Sequence, residues 1–381
     1  MQIVPVASGK GGVGKSLVSA NLAIALAQAG HRVILADLDL GGSNLHLVLG
    51  LRSTAPSIGA FLGRKRIDFQ QVIQETDVAN LSFIAGDAEI PGLANLSSSQ
   101  KNMLIRRLSG LEADYLVLDL GAGTSQNILD FFLMSSHGLI VTAPTPTATV
   151  NAYLFLKNVV FRLLQRSVNR TSEGGRYIDS LFRSREALQR ISIPDIVDEL
   201  ETKDPDAAAR YRDATRRFQP RLIMNMIDDP KDADTVTRLR RSAQQYLNID
   251  VMHLGVIYRD SLQDTALQSR IPVIRYKPQA MISQALYRIA EKMISLDGED
   301  GEATLDLEAV NESYDAAGQE AEQDFSDRLS YVEELLNSGT LSTGDLVETI
   351  RSQHFEIAQL RKQNNLFKAK LAAALQQGFR V

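Results

Sequence analysis

The sequence predicts an α/β fold built on a mostly parallel, doubly wound sheet, and three observations lead to that prediction. Short apolar runs typical of buried strands alternate with longer amphipathic stretches typical of helices over residues 1–294. The first apolar run enters a glycine-rich turn that leads directly into a helix. Two later runs end in aspartates, and the carboxyl ends of parallel strands share one edge of the sheet, where ligands bind.

Length and composition limit the class of protein. A chain of 381 residues with 44 % hydrophobic residues can hold one large α/β domain plus an appendage, or two domains. It contains no cysteine, which excludes disulfides and thiolate metal sites and agrees with a reducing cytoplasm. A strand is predicted from Gln2 onward, so we expect no signal peptide, and no apolar run reaches the roughly 18 residues of a transmembrane helix.

The glycine-rich turn, residues 8–16, reads Ser-Gly-Lys-Gly-Gly-Val-Gly-Lys-Ser and fits the phosphate-loop pattern G-x-x-x-x-G-K-[ST]. Its glycines allow successive amide groups to point at phosphate oxygens, and the following helix adds the positive end of its dipole. In this pattern Lys15 reaches the β and γ phosphates and the Ser16 hydroxyl binds Mg²⁺. The predicted phosphate-binding residues are Gly9, Gly11, Gly12, Val13, Gly14, Lys15, Ser16 and Leu17.

Three aspartates are predicted to lie at the same edge of the sheet as this loop. Asp37 and Asp39 end the second predicted strand, and side chains two residues apart on a strand point the same way. Asp119 ends the apolar run that starts at Tyr115 and is followed by Leu-Gly-Ala-Gly. An acidic residue beside a phosphate loop can hold Mg²⁺ through water, so the pattern predicts Ser16 and Asp119 as metal residues.

The stretch 10–16, Lys-Gly-Gly-Val-Gly-Lys-Ser, resembles the deviant Walker A motif of the MinD/ParA family of ATPases. In that family the first lysine reaches across a nucleotide-sandwich dimer to the partner's phosphates, so Lys10 implies an ATP-dependent homodimer. The resemblance also implies that Asp39 positions the attacking water, that Asp37 lies near the Mg²⁺ shell, and that ATP and Mg²⁺ are the cofactors. The implied catalytic residues are Lys10, Lys15 and Asp39.

Residues 119–123, Asp-Leu-Gly-Ala-Gly, and the Pro-Thr-rich turn within 138–149 are similar to the flagellar branch of that family, FlhG, also called FleN. The resemblance covers residues 1–294, which we take as a MinD-like ATPase domain. Asn225 matches the position from which relatives contact adenine. The absence of cysteine argues against the iron–sulfur-carrying relatives of the class.

Three segments depart from the family pattern. Residues 162–219 are predicted to form a helical insertion, and the arginines of 162–190 either form a basic patch for nonspecific DNA or an acidic partner, or lie on a solvated helix face. Residues 295–324 are rich in Asp, Glu, Gly and Ala and are predicted to be an acidic linker, flexible or weakly helical. Residues 325–381 are predicted to be a helical C-terminal extension.

The function of the last helix, predicted from about residue 345 to 377, stays open between three roles. Its apolar residues follow a heptad-like pattern, which favours a coiled coil or a protein partner. It is also basic, and MinD and FlhG relatives carry a C-terminal amphipathic helix that binds membrane, so membrane binding is the second role. A simple solvated helix is the third.

The sequence therefore predicts a cytoplasmic ATPase that switches between monomer and ATP-bound dimer, and it leaves open a location at the inner face of the membrane or at a cell pole. Its output would be the position or number of a cellular structure, with flagella or another polar cargo favoured. One alternative is a ParA-like partitioning ATPase that binds nonspecific DNA. Another is an ATP-gated adaptor or transcription-factor antagonist in which hydrolysis only resets the switch.

Overall fold

The central sheet of this chain contains eight strands among the residues that the structure describes. The structure is a computed structural model and describes residues 1–51, 55–63, 67–86, 96–183, 191–298 and 307–338, together with isolated positions from 342 to 362. The chain divides into two units, Met1–Glu322 and Gln323–Val381. The sheet and the predicted site lie in the first unit.

The strands run in parallel except at one edge. In sheet order they are β3-β4-β2-β5-β1-β6-β7-β8, and only β3 and β4 pair in antiparallel fashion. The strands are β1 (Gln2–Ala7), β2 (Val33–Leu38), β3 (Ile73–Glu75), β4 (Leu81–Ile84), β5 (Tyr115–Leu120), β6 (Leu139–Thr142), β7 (Arg221–Ile227) and β8 (Met252–Tyr258). β2 and β5 are buried at every position, as expected for parallel strands covered on both faces.

Helices connect the parallel strands and flank the sheet. They are α1 (Lys15–Gln28), α2 (Leu45–Leu49), α3 (Ile58–Gly63), α4 (Ser98–Ser109), α5 (Gln126–Phe132), α6 (Pro146–Ser167), α7 (Glu173–Arg183), α8 (Ile193–Lys203), α9 (Pro205–Arg217), α10 (Asp234–Leu247), α11 (Leu262–Gln268), α12 (Val273–Tyr276), α13 (Met281–Gly298) and α14 (Leu307–Asn337). Helix α1 is buried along almost its whole length, which explains why so few of its residues are polar. None of these helices is long and apolar enough to cross a membrane.

The predicted α/β architecture is confirmed, with one strand that the sequence did not predict. This strand, β3, lies between α3 and β4 in the chain and pairs with β4. β3 has only three residues and lies at the edge of the sheet, so it carries no alternating or continuous apolar pattern that could reveal it.

The insertion at 162–219 is helical in its described part, as predicted. The end of α6 and helices α7, α8 and α9 occupy it, and Ser192 caps α8 with a reciprocal hydrogen bond to Asp195. Its first two arginines do not form a free basic surface. Arg162 and Arg166 turn toward the buried carboxylate of Asp130, at 2.8 and 2.7 Å.

The same carboxylate also pairs with Lys101 of α4, so Asp130 ties α4, α5 and α6 together. Burial raises the pKa of Asp130, but the hydrogen bonds from Arg162, Lys101 and Arg166 outweigh burial and hold that pKa at about 2. Asp130 therefore stays ionised, and Arg162 and Arg166 stabilise the fold by pairing with it.

The acidic linker predicted at 295–324 is wrong in its second half. Helix α14 starts at Leu307, and Val310, Ala317 and Ala321 are fully buried. The sequence showed no clear apolar periodicity because two of these three buried positions are alanines, whose small side chain gives a weak signal. Residues up to Glu322 belong to the same compact unit as the sheet.

This part of α14 covers the free edge of β8. The Tyr314 hydroxyl donates to the backbone oxygen of Val251 at 2.9 Å, and the Ser313 hydroxyl accepts from the backbone N–H of His253 at 3.2 Å. The Tyr258 hydroxyl donates to the backbone oxygen of Ala321 at 2.8 Å. An uncovered edge strand is a site of aggregation, and here side chains of the chain itself satisfy edge groups.

His253 makes the stability of this region dependent on pH. Burial and the positive charge of Lys292 lower the pKa of His253 to about 3, well below the usual value of about 6.5. The unfolded chain therefore binds a proton below pH 6.5 while the folded chain does not, so stability present above that pH is lost as the pH falls toward 3. We expect His253 to account for a loss of about 2 kcal/mol between pH 7 and pH 5.

Urea unfolding at pH 7 and pH 5 checks this prediction when wild type is compared with His253→Phe. Phenylalanine keeps the ring beside Tyr314, whose centroid is 5.3 Å from that of His253, but cannot be protonated. The variant should lose about 2 kcal/mol less than wild type over this interval. An equal loss in both proteins would show that other groups set the acid sensitivity.

Candidate functional site

The glycine-rich turn joins β1 to α1, as the pattern predicted. β1 ends at Ala7 and α1 begins at Lys15, with Gly14 at the N-cap in the left-handed region at φ 83°. A side chain at Gly14 would be strained by this backbone, and its Cβ would lie 2.2 Å from Nδ2 of Asn225. The Asn225 amide in turn donates to the backbone oxygen of Val13 at 2.8 Å.

The start of the turn rests on helix α6. A Cβ added at Gly9 would lie 2.0 Å from the backbone oxygen of Asn151, so glycine is required there for close approach. The Lys10 ammonium group donates to the Thr147 hydroxyl at 3.1 Å, and Lys10 is exposed. The first turns of α6 therefore set the position of this half of the loop and of its first lysine.

The second lysine is buried and paired. The Lys15 ammonium lies 2.7 Å from Oδ1 of Asp119, and the exposed fractions of these side chains are 7 % and 1 %. The Ser19 hydroxyl, one turn further along α1, lies 2.8 Å from the same oxygen. Ser16 is adjacent, with its hydroxyl 3.4 Å from the Lys15 ammonium.

Asp37 lies beside Asp119, because β2 and β5 pair these two residues in register. Its carboxylate accepts hydrogen bonds from the Ser43 hydroxyl and from the backbone N–H groups of Asp39 and Leu45. Burial and the negative charge of Asp119 raise the pKa of Asp37 to about 6. Asp37 therefore organises the turn after β2, and its role as a metal residue stays a prediction.

Asp39 faces the turn that follows β5. A Cβ added at Gly121 would lie 3.2 Å from Oδ1 of Asp39, so the carboxylate lies close to the Gly121 backbone. The Gly123 backbone N–H donates to the backbone oxygen of Ser8 at 3.1 Å. The turns after β1, β2 and β5 thus meet at one edge of the sheet, as the aspartates predicted.

The residues present suit a nucleotide phosphate and a divalent cation. A Cβ added at Gly11 or Gly12 would meet no atom of the described chain within 4 Å, so the loop borders open space on that side. The buried Ser8 hydroxyl has no hydrogen-bond partner in the described part of the chain. Backbone amides, a lysine and a hydroxyl suit phosphate oxygens, and hydroxyl and carboxylate oxygens suit Mg²⁺.

The structure brings together the predicted residues of the loop with Asp37, Asp39 and Asp119, and it places the Asn225 side chain against the loop. The Asn225 amide braces the loop, while an adenine contact stays a prediction. Ser19 and Thr147 also belong to the site, although the sequence did not predict them. Ser19 could have been found, because it lies four residues after Lys15 and thus on the same helix face. Nothing in the sequence marked Thr147 as a site residue apart from its place in the Pro-Thr-rich turn.

Sequence comparisons agree with this geometry. Residues 1–159 match the family model described as "ParA: NUBPL iron-transfer P-loop NTPase". The chain is 26 % identical to "Antiactivator FleN" of Pseudomonas aeruginosa over 298 residues, covering 77 % of this chain and 87 % of that protein. It is also 26 % identical to "Flagellum site-determining protein YlxH" of Helicobacter pylori over 310 residues, covering 77 % and 82 %.

Solved structures show the same fold. The septum site-determining protein MinD of Pyrococcus horikoshii, complexed with Mg-ADP, matches with a TM-score of 0.51 at 21 % identity, covering 79 % of this chain and 99 % of that one. The cell division ATPase MinD of Pyrococcus furiosus matches with a TM-score of 0.53 at 20 % identity, covering 77 % and 99 %. Together with the loop and its aspartates, the match over residues 1–159 identifies this part of the chain as a P-loop NTPase of the ParA/MinD type, an ATPase whose cofactors are ATP and Mg²⁺.

Proposed function

We propose that this chain is an ATP-dependent dimerisation switch that controls the position or number of a cellular structure, with flagella the favoured cargo. The observation that carries the proposal is the different placement of the two lysines of one loop. Lys15 is buried at the chain's own phosphate site, whereas Lys10 is exposed and donates a hydrogen bond to Thr147. An exposed lysine of the phosphate loop can reach a second copy's nucleotide once it exchanges its hydrogen bond to Thr147 for one to that phosphate.

The flagellar output rests on the relatives. One is named an antiactivator and the other a flagellum site-determining protein, and both align over more than three quarters of this chain. We infer that this chain acts in the cytoplasm, at the inner face of the membrane or at a cell pole, and that its C-terminal helices bind a protein partner. DNA binding through the insertion receives less support, because Arg162 and Arg166 bind Asp130.

The chemistry follows from what each side chain can hold. Lys15 and the backbone amides of the loop would bind the phosphates, while Ser16 and Asp119 would hold Mg²⁺, which neutralises charge on the phosphate oxygens. Asp39 would orient a water for in-line attack, and Lys10 of the partner copy would stabilise the developing negative charge. Positioning and electrostatics supply most of the rate in this type of reaction.

The test is the mass of the full chain by light scattering with Mg²⁺-ATP and with Mg²⁺-ADP. Wild type should dimerise with ATP and return to monomer as ATP is consumed. Asp39→Ala should hydrolyse ATP about a hundredfold more slowly and stay dimeric, because the water is no longer oriented. Lys10→Ala should bind ATP yet stay monomeric.

Lys157→Ala is the matched control for Lys10→Ala, because Lys157 lies on α6 but faces the Phe161 ring. It should dimerise as wild type does. A dimer that forms equally with ADP, or that survives Lys10→Ala, would contradict the nucleotide switch and point to a constitutive assembly through the C-terminal helices.

A further inference from the structure

We propose that Ser19 is a positioning residue for Asp119, holding that carboxylate in place while Lys15 moves from it to the phosphates. The inference rests on the proposed function, since it requires that Lys15 and Asp119 serve nucleotide and Mg²⁺. It concerns a residue outside the P-loop pattern, which ends at Ser16.

The buried Asp119 carboxylate accepts hydrogen bonds from two donors at one of its oxygens. Oδ1 of Asp119 lies 2.7 Å from the Lys15 ammonium and 2.8 Å from the Ser19 hydroxyl. Asp119 is 1 % exposed, so water cannot replace a missing donor at low cost.

In the proposed function the Lys15 ammonium turns to the phosphates, which takes it away from its 2.7 Å contact with Asp119. Once Lys15 leaves, the negative charge of Asp37 further destabilises the Asp119 carboxylate. The two residues lie side by side because β2 and β5 pair them in register. The Ser19 hydroxyl is then the donor already in place, fixed by a helix that is buried along its length.

The geometry of Ser19 also lets it release Asp119 without becoming unpaired. Its hydroxyl lies 3.0 Å from the backbone oxygen of Lys15 and 2.8 Å from Oδ1 of Asp119. One hydroxyl hydrogen can serve either acceptor, so Ser19 can donate to Asp119 when the carboxylate lacks a cation and to the Lys15 oxygen when a cation is present.

The test is ADP affinity of the full chain by titration calorimetry, with EDTA and with Mg²⁺. Without Mg²⁺, Ser19→Ala should weaken ADP binding about tenfold, which is near the lower end of the effect of a hydrogen bond to a charged group. With saturating Mg²⁺ the loss of affinity should be smaller, because a cation then compensates Asp119. Ser19→Thr, which keeps the hydroxyl, should bind within about threefold of wild type.

A double-mutant cycle separates positioning from a general effect on α1. In an Asp119→Asn background, Ser19→Ala should change ADP affinity less than about twofold, because the charge that Ser19 stabilises is gone. Val18→Ala is the matched control: Val18 is fully buried on the same helix, and its truncation should act equally with or without the Asp119 charge.

The outcomes distinguish this inference from the proposed function. If wild type binds ADP and gains from Mg²⁺, but Ser19→Ala matches wild type or weakens ADP equally in both backgrounds and both buffers, the positioning role is overturned and the switch stands. If wild type neither binds ADP nor responds to Mg²⁺, both are overturned. Circular dichroism of each variant checks that it is folded.

Discussion

A chain that ends after Gly298 should unfold at a much lower urea concentration than one that ends after Glu322. The longer of these two chains keeps the part of α14 that belongs to the same compact unit as the sheet. The shorter one lacks it, which uncovers β8. We expect the difference in the free energy of unfolding to be about 5 kcal/mol, a large share of the stability of a typical domain.

The size of this effect comes from several interactions that the shorter chain cannot make. Three fully buried apolar side chains are absent with the helix, and each hydrogen bond missing at the edge of β8 leaves a backbone or hydroxyl group without its partner. Two interactions beside the edge are absent as well. They are an ion pair of 2.5 Å between Lys292 and Glu320, and a hydrogen bond of 2.6 Å from Arg240 to Asn311.

Urea unfolding and soluble yield of the two truncated chains measure the difference, with the full chain as reference. Tyr314→Phe in the full chain is the matched small perturbation, because it removes only the hydroxyl that donates to Val251. It should cost about 1 kcal/mol. Equal unfolding midpoints for the two truncations would show that residues 307–322 contribute nothing to the domain.

The docking of α14 on the edge of β8 could not be predicted from the sequence, unlike the phosphate loop. The strand, turn and helix of the phosphate loop follow from a local pattern, because glycines, Lys15 and Ser16 perform their roles within nine consecutive residues. The aspartates could be placed because parallel strands share one edge. The docking of 307–322 depends instead on an edge strand more than 50 residues earlier in the chain and on buried alanines, which no local periodicity reveals.

In the candidate site, the positions of the aspartates could be predicted from the sequence but their contacts could not. Asp37, Asp39 and Asp119 were predicted at one edge and meet there. Which atoms each carboxylate contacts could not be predicted, because Ser43, Gly121 and Ser19 come from three different segments. The arginines of the insertion were left open between a basic patch and a solvated face, and two of them instead bind the buried Asp130. Predictions for residues 345–377 fall mostly outside the described residues.

Lys15→Ala should have two separable effects, loss of nucleotide binding and loss of stability in the absence of nucleotide. Phosphate binding loses its buried cation, so ADP affinity should fall at least about a hundredfold. The same change leaves Asp119 buried with Ser19 as its remaining donor. Breaking a buried ion pair from one side costs about 3 kcal/mol, so urea unfolding without nucleotide should shift accordingly.

The double variant Lys15→Ala/Asp119→Asn separates the two effects, since it removes the uncompensated charge without restoring the lysine. It should regain most of the lost stability and still fail to bind ADP. Lys101→Ala is the matched control, because Lys101 is a similarly buried lysine paired with a carboxylate, Asp130, that keeps Arg162 and Arg166. It should lose less stability than Lys15→Ala and keep wild-type ADP affinity. If the double variant stays as unstable as Lys15→Ala, the Asp119 charge is not what destabilises the ligand-free domain, and Lys15 stabilises it through packing of its aliphatic chain instead.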